Sequence, residues 1–180
     1  MSPMRPRAAR LPTGVYWGRF NPPHKGHLGA ITRFKNRYNL IVAIGSAEHR
    51  NERTNPFSGT ERKAMMMALL KEAGIDGLRV VTLADGPSET WSVENLIRRC
   101  KPEVILLSTE RRGSLDAALA RSGVRVTRFR RTGTVSSTRI RDSIAAGTEE
   151  WRRLTGKSVA TLIENYDGPR RIRRAYRRPG

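Results

Sequence analysis

The chain has 180 residues, 35 of them Lys or Arg against 16 Asp or Glu, for a formal net charge of +19. That length supports one hydrophobic core without a staple, and the lone cysteine, Cys100, excludes a disulfide framework or a Cys-rich zinc site and suits a reducing compartment. No apolar run approaches the roughly 18 residues of a membrane span, and residues 1–13 carry Arg5, Arg7 and Arg10 without the apolar stretch of a signal peptide, so a cytoplasmic protein is expected.

Along the chain, apolar periodicity gives an alternation. Val15 to Phe20 is a short apolar and aromatic run closed by Asn21, Pro22 and Pro23, which predicts a strand and a turn. From Lys25, Leu28, Ile31 and Phe34 recur at helical spacing up to Tyr38, and Leu40 to Ile44 is the continuous apolar run that a central parallel strand needs. Ser58 and Glu61 form a capping box ahead of Met65, Met66, Leu69 and Leu70, with Gly74 as the stop. Leu78 to Leu83 predicts a third strand. A helix follows from about Ser92, with Val93, Leu96 and Ile97 on its apolar face and Cys100 as a small core residue at its end. Val104 to Leu107 is a fourth strand, Leu115 to Arg121 a short helix stopped by Gly123, and Val124 to Phe129 a fifth strand. Two further helices are expected at Thr138 to Ala146 and Lys157 to Tyr166, and the arginines beyond either extend the last one or form a solvated tail. Strands and helices at this spacing define an α/β chain with a parallel sheet covered on both faces. Its ligands are expected outside the carboxyl ends of the strands, near the switch in strand order.

The charge is unevenly placed. Arg5, Arg7 and Arg10 lie in the N-terminal arm and Arg170, Arg171, Arg173, Arg174, Arg177 and Arg178 at the C-terminal end, leaving 26 basic against 16 acidic residues between, a surplus of 10. Such a surplus implies a polyanionic partner, either nucleic acid or small phosphorylated ligands.

Two segments at the predicted ligand edge carry chemistry. Gly18-Arg19-Phe20-Asn21-Pro22-Pro23-His24-Lys25-Gly26-His27 joins the first strand to the first helix. Gly18 lets a ligand approach the backbone, His24 and His27 lie one helical turn apart, and Gly26 keeps the helix N-terminus open to an anion. By itself an H-x-x-H pair equally describes a metal pair or two satisfied core histidines. The second segment, Val135-Ser136-Ser137-Thr138-Arg139-Ile140-Arg141, opens a helix after the last strand; its hydroxyls, free N–H groups and Arg141 suit a triphosphate, and they equally suit an ordinary helix cap with solvated arginines. Two cationic helix N-termini on one sheet edge together describe a nucleotide-phosphate site.

The pairing of G-R-F-N-P-P-H-K-G-H-L with S-S-T-R-I-R resembles the HxGH nucleotidyltransferase superfamily. Gly18-Arg19-Phe20, Ile44-Gly45-Ser46-Ala47, Asn55-Pro56-Phe57 with Glu61-Arg62, and Trp91 narrow the similarity to the archaeal-type nicotinamide-nucleotide adenylyltransferases. The resemblance runs from about Gly14 to Tyr176. It implies a single Rossmann-like domain of nucleotidylyl transferase type over residues 14–167, between a basic arm (1–13) and an Arg-rich segment (168–180). It also implies adenylyl transfer from ATP to nicotinamide mononucleotide, giving NAD and pyrophosphate. On that basis His24, His27, Arg19 and Arg141 are the expected catalytic residues, and Gly18, Phe20, Gly26, Ser136, Ser137 and Thr138 join them around ATP. Trp91, Phe57 and Asn55 are expected at the pyridine mononucleotide. Magnesium is expected on the triphosphate, with no protein side chain as its ligand, and a homo-oligomer is implied for the family. Archaeal-type members usually show Gln, Phe and Arg where this chain has Asn21, Pro23 and Lys25; the Asn-Pro-Pro run is similar to the bacterial branch that favours nicotinic acid mononucleotide. Alternatives left open are another acceptor (nicotinic acid mononucleotide, flavin mononucleotide, a phosphopantetheine), cytidylyl transfer, or nucleic-acid binding by the Arg-rich ends.

Overall fold

The computed structural model describes residues 10–109, 115–131 and 133–177. Arg5, Arg7 and Arg178, and with them most of the expected N-terminal arm, lie outside the described residues. The elements run β1 (Thr13–Gly18), α1 (Lys25–Phe34), β2 (Asn39–Ile44), α2 (Gly59–Glu72), β3 (Arg79–Thr82), α3 (Glu89–Cys100), β4 (Val104–Ser108), α4 (Leu115–Arg121), β5 (Arg125–Phe129), then α5 (Ser137–Ala145), α6 (Glu150–Thr155), α7 (Lys157–Asn165) and α8 (Gly168–Arg177). All strands are parallel, in the order β3-β2-β1-β4-β5. The chain steps outward from β1 to β3, then crosses back to the other side of β1. The switch in direction therefore lies between β1 and β4, which pair with Gly14 opposite Val104.

Side-chain alternation along each strand sorts the core into two layers. Tyr16, Val42, Ile44, Leu106 and Phe129 pack with Ile31 and Phe34 of α1 and Met66 and Leu70 of α2 on one face. Val15, Trp17, Ile41, Ile105 and Leu107 pack with Val93 and Leu96 of α3 and Leu119 of α4 on the other, and Cys100 is buried among them. A third cluster joins α2, through Met65 and Leu69, to the helices after the sheet, through Ile140, Trp151, Val159, Ile163 and Ile172. The C-terminal arginines thus continue as a separate helix, α8, docked on α5 and α7 through Ile172 and Ala175.

Three boundaries differ most from the periodicity, the first being that of α1, which ends at Phe34 and not at Tyr38. The first strand ends at Gly18, and Phe20, expected at its end, is a loop residue with φ 51°, in the left-handed region. Helix α3 starts three residues before Ser92, because Ser88 accepts from the Trp91 N–H and caps it. Among the described residues, no helix is long and apolar enough to cross a membrane.

Candidate active site

A cleft of about 600 Å³ opens at the carboxyl ends of β1, β4 and β5, at the switch point. Gly18, Arg19, Phe20 and His27 line one side, Ser136, Ser137, Thr138 and Arg141 another, and Ser108, Asp116, Arg128 and Arg131 a third.

The histidine turn is built around backbone donors. His24 is the N-cap of α1, and its Nδ1 accepts from the Gly26 N–H at 3.1 Å; His27 Nδ1 accepts from the His24 N–H at 3.2 Å, closing a reciprocal capping box. The rings stack with centroids 3.6 Å apart. A Cβ on Gly26 would sit 3.0 Å from His24 Cε1, so the glycine makes room for the ring. Because both Nδ1 atoms accept, each neutral imidazole carries its proton on Nε2. Both Nε2 atoms face the Arg131 guanidinium, whose Nη1 lies 3.5 Å from His24 and 3.3 Å from His27. Burial and then Arg131 push His24 from an ordinary 6.5 down to about 3. Burial, then His24 and Arg131, hold His27 well below its usual value. The pair is therefore neutral at physiological pH, and the two Nε2–H groups and the Arg131 guanidinium set donors against donors, with His27 and Arg131 on the cleft wall and His24 fully buried behind them. That is a geometry for an anionic oxygen.

This neutrality has a consequence for stability. Histidines free in the unfolded chain titrate near 6.5, whereas both are depressed in the folded one, so their contribution is complete above that value and is lost as pH falls through and below it, towards about 3 for His24. Unfolding free energy is expected to drop by up to about 1.4 kcal/mol per pH unit per histidine below about pH 6. His49, raised by Glu52, opposes this with the reverse sign, but it sits at the surface. Urea unfolding between about pH 7 and 5 checks the slope, above the range where carboxylates titrate. A doubly substituted His24→Asn, His27→Asn chain, which keeps both capping acceptors, should lose most of it, and an unchanged slope would reject the assignment.

The second segment lies across the turn. Ser136 caps α5 by accepting from the Arg139 N–H, and the Ser137 hydroxyl donates to the Pro22 carbonyl at 2.9 Å. Arg141 donates from Nη1 to the Asn21 carbonyl at 2.9 Å and from Nη2 to the Thr138 hydroxyl at 3.2 Å. It is 6% exposed, its Nε has no acceptor among the described residues, and burial is the main force lowering its pKa. The N-termini of α1 and α5 thus face one cleft, bolted together through the loop at Asn21 and Pro22. Arg139 points outward instead, paired with Glu150.

Loop supports complete the edge. Arg62 is fully buried and donates to four carbonyls: Ser58 (3.2 Å), Arg19 (2.6 Å), Gly45 (2.8 Å) and Ser46 (2.6 Å). Asn21 bonds Phe57 with both ends of its amide, accepting from its N–H at 3.2 Å and donating to its carbonyl at 3.0 Å. The residues expected around the acceptor are placed apart from the cleft lining. Phe57 is fully buried under Arg171 of α8, and Asn55 is 6% exposed and bonded to Glu52 and Thr54; of that stretch, Thr54 reaches the cleft. Trp91 stands beyond β3 on the same sheet edge, 37% exposed, its indole so close on Gly86 that a Cβ there would lie 1.9 Å from it. Arg131 and Arg62 had no assigned role in the sequence reading.

Among the described residues the one carboxylate lining the cleft is Asp116, and it is paired with Arg128. This donor set suits a metal that arrives already chelated by a triphosphate rather than one held by side chains. Among the described residues, Glu48, His49 and Asp85 also bring potential metal ligands within 4.8 Å of one another, but outside the cleft lining. There Glu48 accepts from the Asp85 N–H and Asp85 accepts from the Ser46 N–H and hydroxyl, so the carboxylates hold the ends of β2 and β3 together.

Comparison with known proteins decides the family. A cytidylyltransferase-like family profile matches residues 15–143. The chain is 34% identical over 166 residues to the nicotinamide-nucleotide adenylyltransferase of Pyrobaculum neutrophilum, covering 88% of this chain and 91% of the relative. It belongs to the cytidylyltransferase-like family, among the nicotinamide-nucleotide adenylyltransferases. The enzyme of that name from Pyrococcus furiosus is 33% identical over 170 residues, or 89% of this chain and 87% of the relative. The fold recurs in a bifunctional NMN adenylyltransferase/ADP ribose pyrophosphatase from Francisella tularensis (TM-score 0.66, 23% identity, 92% of this chain), of which the match spans 52%. It recurs too in the Plasmodium falciparum nicotinic acid mononucleotide adenylyltransferase (TM-score 0.61, 11% identity, 89% of this chain and 98% of that one). As a nucleotidyltransferase, the chain has its cleft where its two phosphate-type motifs meet.

Proposed function

We propose that the protein transfers the adenylyl group of magnesium-bound ATP to the 5′-phosphate of nicotinamide mononucleotide, forming NAD and pyrophosphate. The observation that carries this reading is the convergence of the His24 and His27 Nε2–H donors with Arg131 beside the N-terminus of α5. Both substrates are phosphate anions, so the first requirement is to bring like charges together. Arg19 at the cleft mouth and Arg141 within it supply fixed positive charge, and the hydroxyls of Ser136, Ser137 and Thr138 present the helix end to the triphosphate. An oxygen of the acceptor phosphate attacks the α-phosphorus, a new P–O bond forms, and the bond to the β-phosphate oxygen breaks as pyrophosphate leaves with its electron pair. No proton changes hands in that step, so the neutral histidines act as hydrogen-bond donors to developing charge and not as bases. Bound to ATP, magnesium would share the charge of the phosphates without needing a protein carboxylate as ligand. Trp91, exposed beyond β3 on the same sheet edge, offers a face for a pyridine ring. The reducing cytoplasm is the compartment in keeping with a single buried thiol.

The test is direct. Incubation with ATP, magnesium and nicotinamide mononucleotide should release pyrophosphate in step with a dinucleotide of the mass of NAD. Parallel reactions with nicotinic acid mononucleotide, flavin mononucleotide and phosphopantetheine, and with CTP in place of ATP, rank the alternatives by kcat/KM. Absence of product with every acceptor would sink the enzymatic reading, and preference for another acceptor would overturn the substrate.

A further inference from the structure

Helix α8 divides the C-terminal arginines between two faces. Arg171 turns inward, donating to Glu61 at 2.7 and 3.0 Å, to the Pro56 carbonyl at 2.6 Å and to Asn51 at 3.0 Å, beside the buried Ile172 and Ala175. Arg170, Arg173, Arg174 and Arg177 are all exposed, and their spacing of three, four and seven residues sets them in one stripe. At 1.5 Å of rise per residue the stripe is about 10 Å long.

Folding does not account for this stripe. The helix macrodipole favours cations in the last turn, which covers Arg174 and Arg177, but it opposes them near the start, where Arg170 lies and the first turn holds no acidic residue. Arg170 has Asp167 at 3.4 Å in a solvated pair; among the described residues no carboxylate comes within ion-pair distance of Arg173, Arg174 or Arg177. Arg53, lying 4.5 Å over the Tyr176 ring, adds another cation beside the last turn. The cleft does not use these groups either, since none of them lines it.

We propose that this arginine stripe docks on the phosphate backbone of duplex nucleic acid. A duplex carries one negative charge per roughly 1.7 Å of axis, dense enough to meet four guanidiniums within about 10 Å. Guanidinium suits phosphate because it offers paired donors in a fixed fork. An anionic membrane fits less well: an interfacial helix must sink an apolar face into lipid, and the apolar face of α8 is already buried in the protein. A single strand fits less well also, because its bases need aromatic platforms; the one aromatic of α8, Tyr176, is covered by Arg53 and its hydroxyl donates to Asp142 at 2.8 Å.

The experiment measures binding of a short labelled DNA duplex by fluorescence anisotropy between about 50 and 200 mM salt, for the full chain and for a variant carrying Arg170→Gln, Arg173→Gln, Arg174→Gln and Arg177→Gln. The full chain should bind with a steep salt dependence. The variant should bind at least about tenfold more weakly at the lower salt, with a log–log slope shallower by about 3.6, as expected for the loss of four phosphate contacts. It should form NAD, or whatever dinucleotide the full chain forms, within about twofold of the unmodified rate, since α8's outer face touches no part of the cleft. Equal affinity and slope for both chains, or no duplex binding by the full chain at about 50 mM salt, would overturn the proposal. So would tighter binding to a single strand of the same sequence, or to anionic vesicles, than to the duplex.

Discussion

Replacing His27 with asparagine is expected to lower kcat by about 10²-fold or more while leaving the unfolding midpoint almost unchanged. The two nitrogens of this ring do different work. Nδ1 accepts from the His24 N–H and closes the capping box, and Nε2 points at the place where His24 and Arg131 also converge. Asparagine reproduces an acceptor near the Nδ1 position but ends before Nε2, so it keeps the cap and deletes the donor. Alanine would remove both, and a helix cap alone is worth about 1 kcal/mol, so an alanine variant mixes a fold defect with a catalytic one. Glutamine is the complementary probe, reaching the Nε2 position while losing the cap. If the Nε2–H stabilises charge on the transferring phosphoryl group, His27→Asn should depress kcat more than it raises KM for ATP, and His27→Gln should recover part of kcat at lower stability. Steady-state kinetics with urea titrations of the same preparations separate the two. A near wild-type kcat for His27→Asn would remove the donor from the mechanism.

The division of labour within that one side chain shows what a sequence discloses and what it withholds. The spacing of His24 and His27 places them on one turn, but the spacing cannot say which nitrogens the backbone consumes. Arg131 is hidden for a stronger reason. It sits among Arg128 and Arg130 in a stretch without motif, and it meets His24 only because β5 ends beside the start of α1, 107 residues away in the chain. The sheet, by contrast, is legible because parallel strands buried on both faces are continuous apolar runs, as Leu40 to Ile44 is. Short or polar helices escape that logic. Helix α6 has only six residues, with Trp151 and Leu154 as its apolar pair, and α8 offers Ile172 and Ala175 among arginines, too few positions to establish a period. Phe57 shows a further limit of motif reading: a residue quoted within a substrate-type motif packs beneath α8 and holds Asn21 through its backbone.

Arg62 carries the largest expected loss of stability. Its guanidinium is wholly buried without a hydrogen-bonded carboxylate, and burial lowers its pKa to about 10, so it stays charged at neutral pH. The charge is compensated by four carbonyl oxygens, three of them at the carboxyl ends of β1 and β2: Arg19, Gly45 and Ser46. These are loop carbonyls that no strand or helix ladder satisfies, so one side chain replaces the pairing that regular structure would supply. Arg62→Met fills a similar volume with apolar atoms. It relieves the desolvation of a cation, worth several kcal/mol, but strips the Arg19 and Gly45 carbonyls of their side-chain donor and leaves that of Ser46 only the His49 N–H at 3.3 Å, at about 1–3 kcal/mol each, and releases two loops from each other. The orphaned carbonyls outweigh the relief where the loops cannot turn them to water, and a net loss of about 3–5 kcal/mol is expected. Arg62→Lys should fall between, since an ammonium keeps the charge but cannot reach carbonyls on opposite sides of a planar fork. The same geometry ties stability to activity: Arg19 presents its side chain to the cleft while its carbonyl is held by Arg62. Arg62→Lys is therefore expected to lose more in kcat/KM than its partial recovery of stability would suggest. Urea midpoints of both variants, with kcat/KM measured where each is still fully folded, test the coupling; a methionine variant within about 1 kcal/mol of the unmodified chain would show that the carbonyls find other donors.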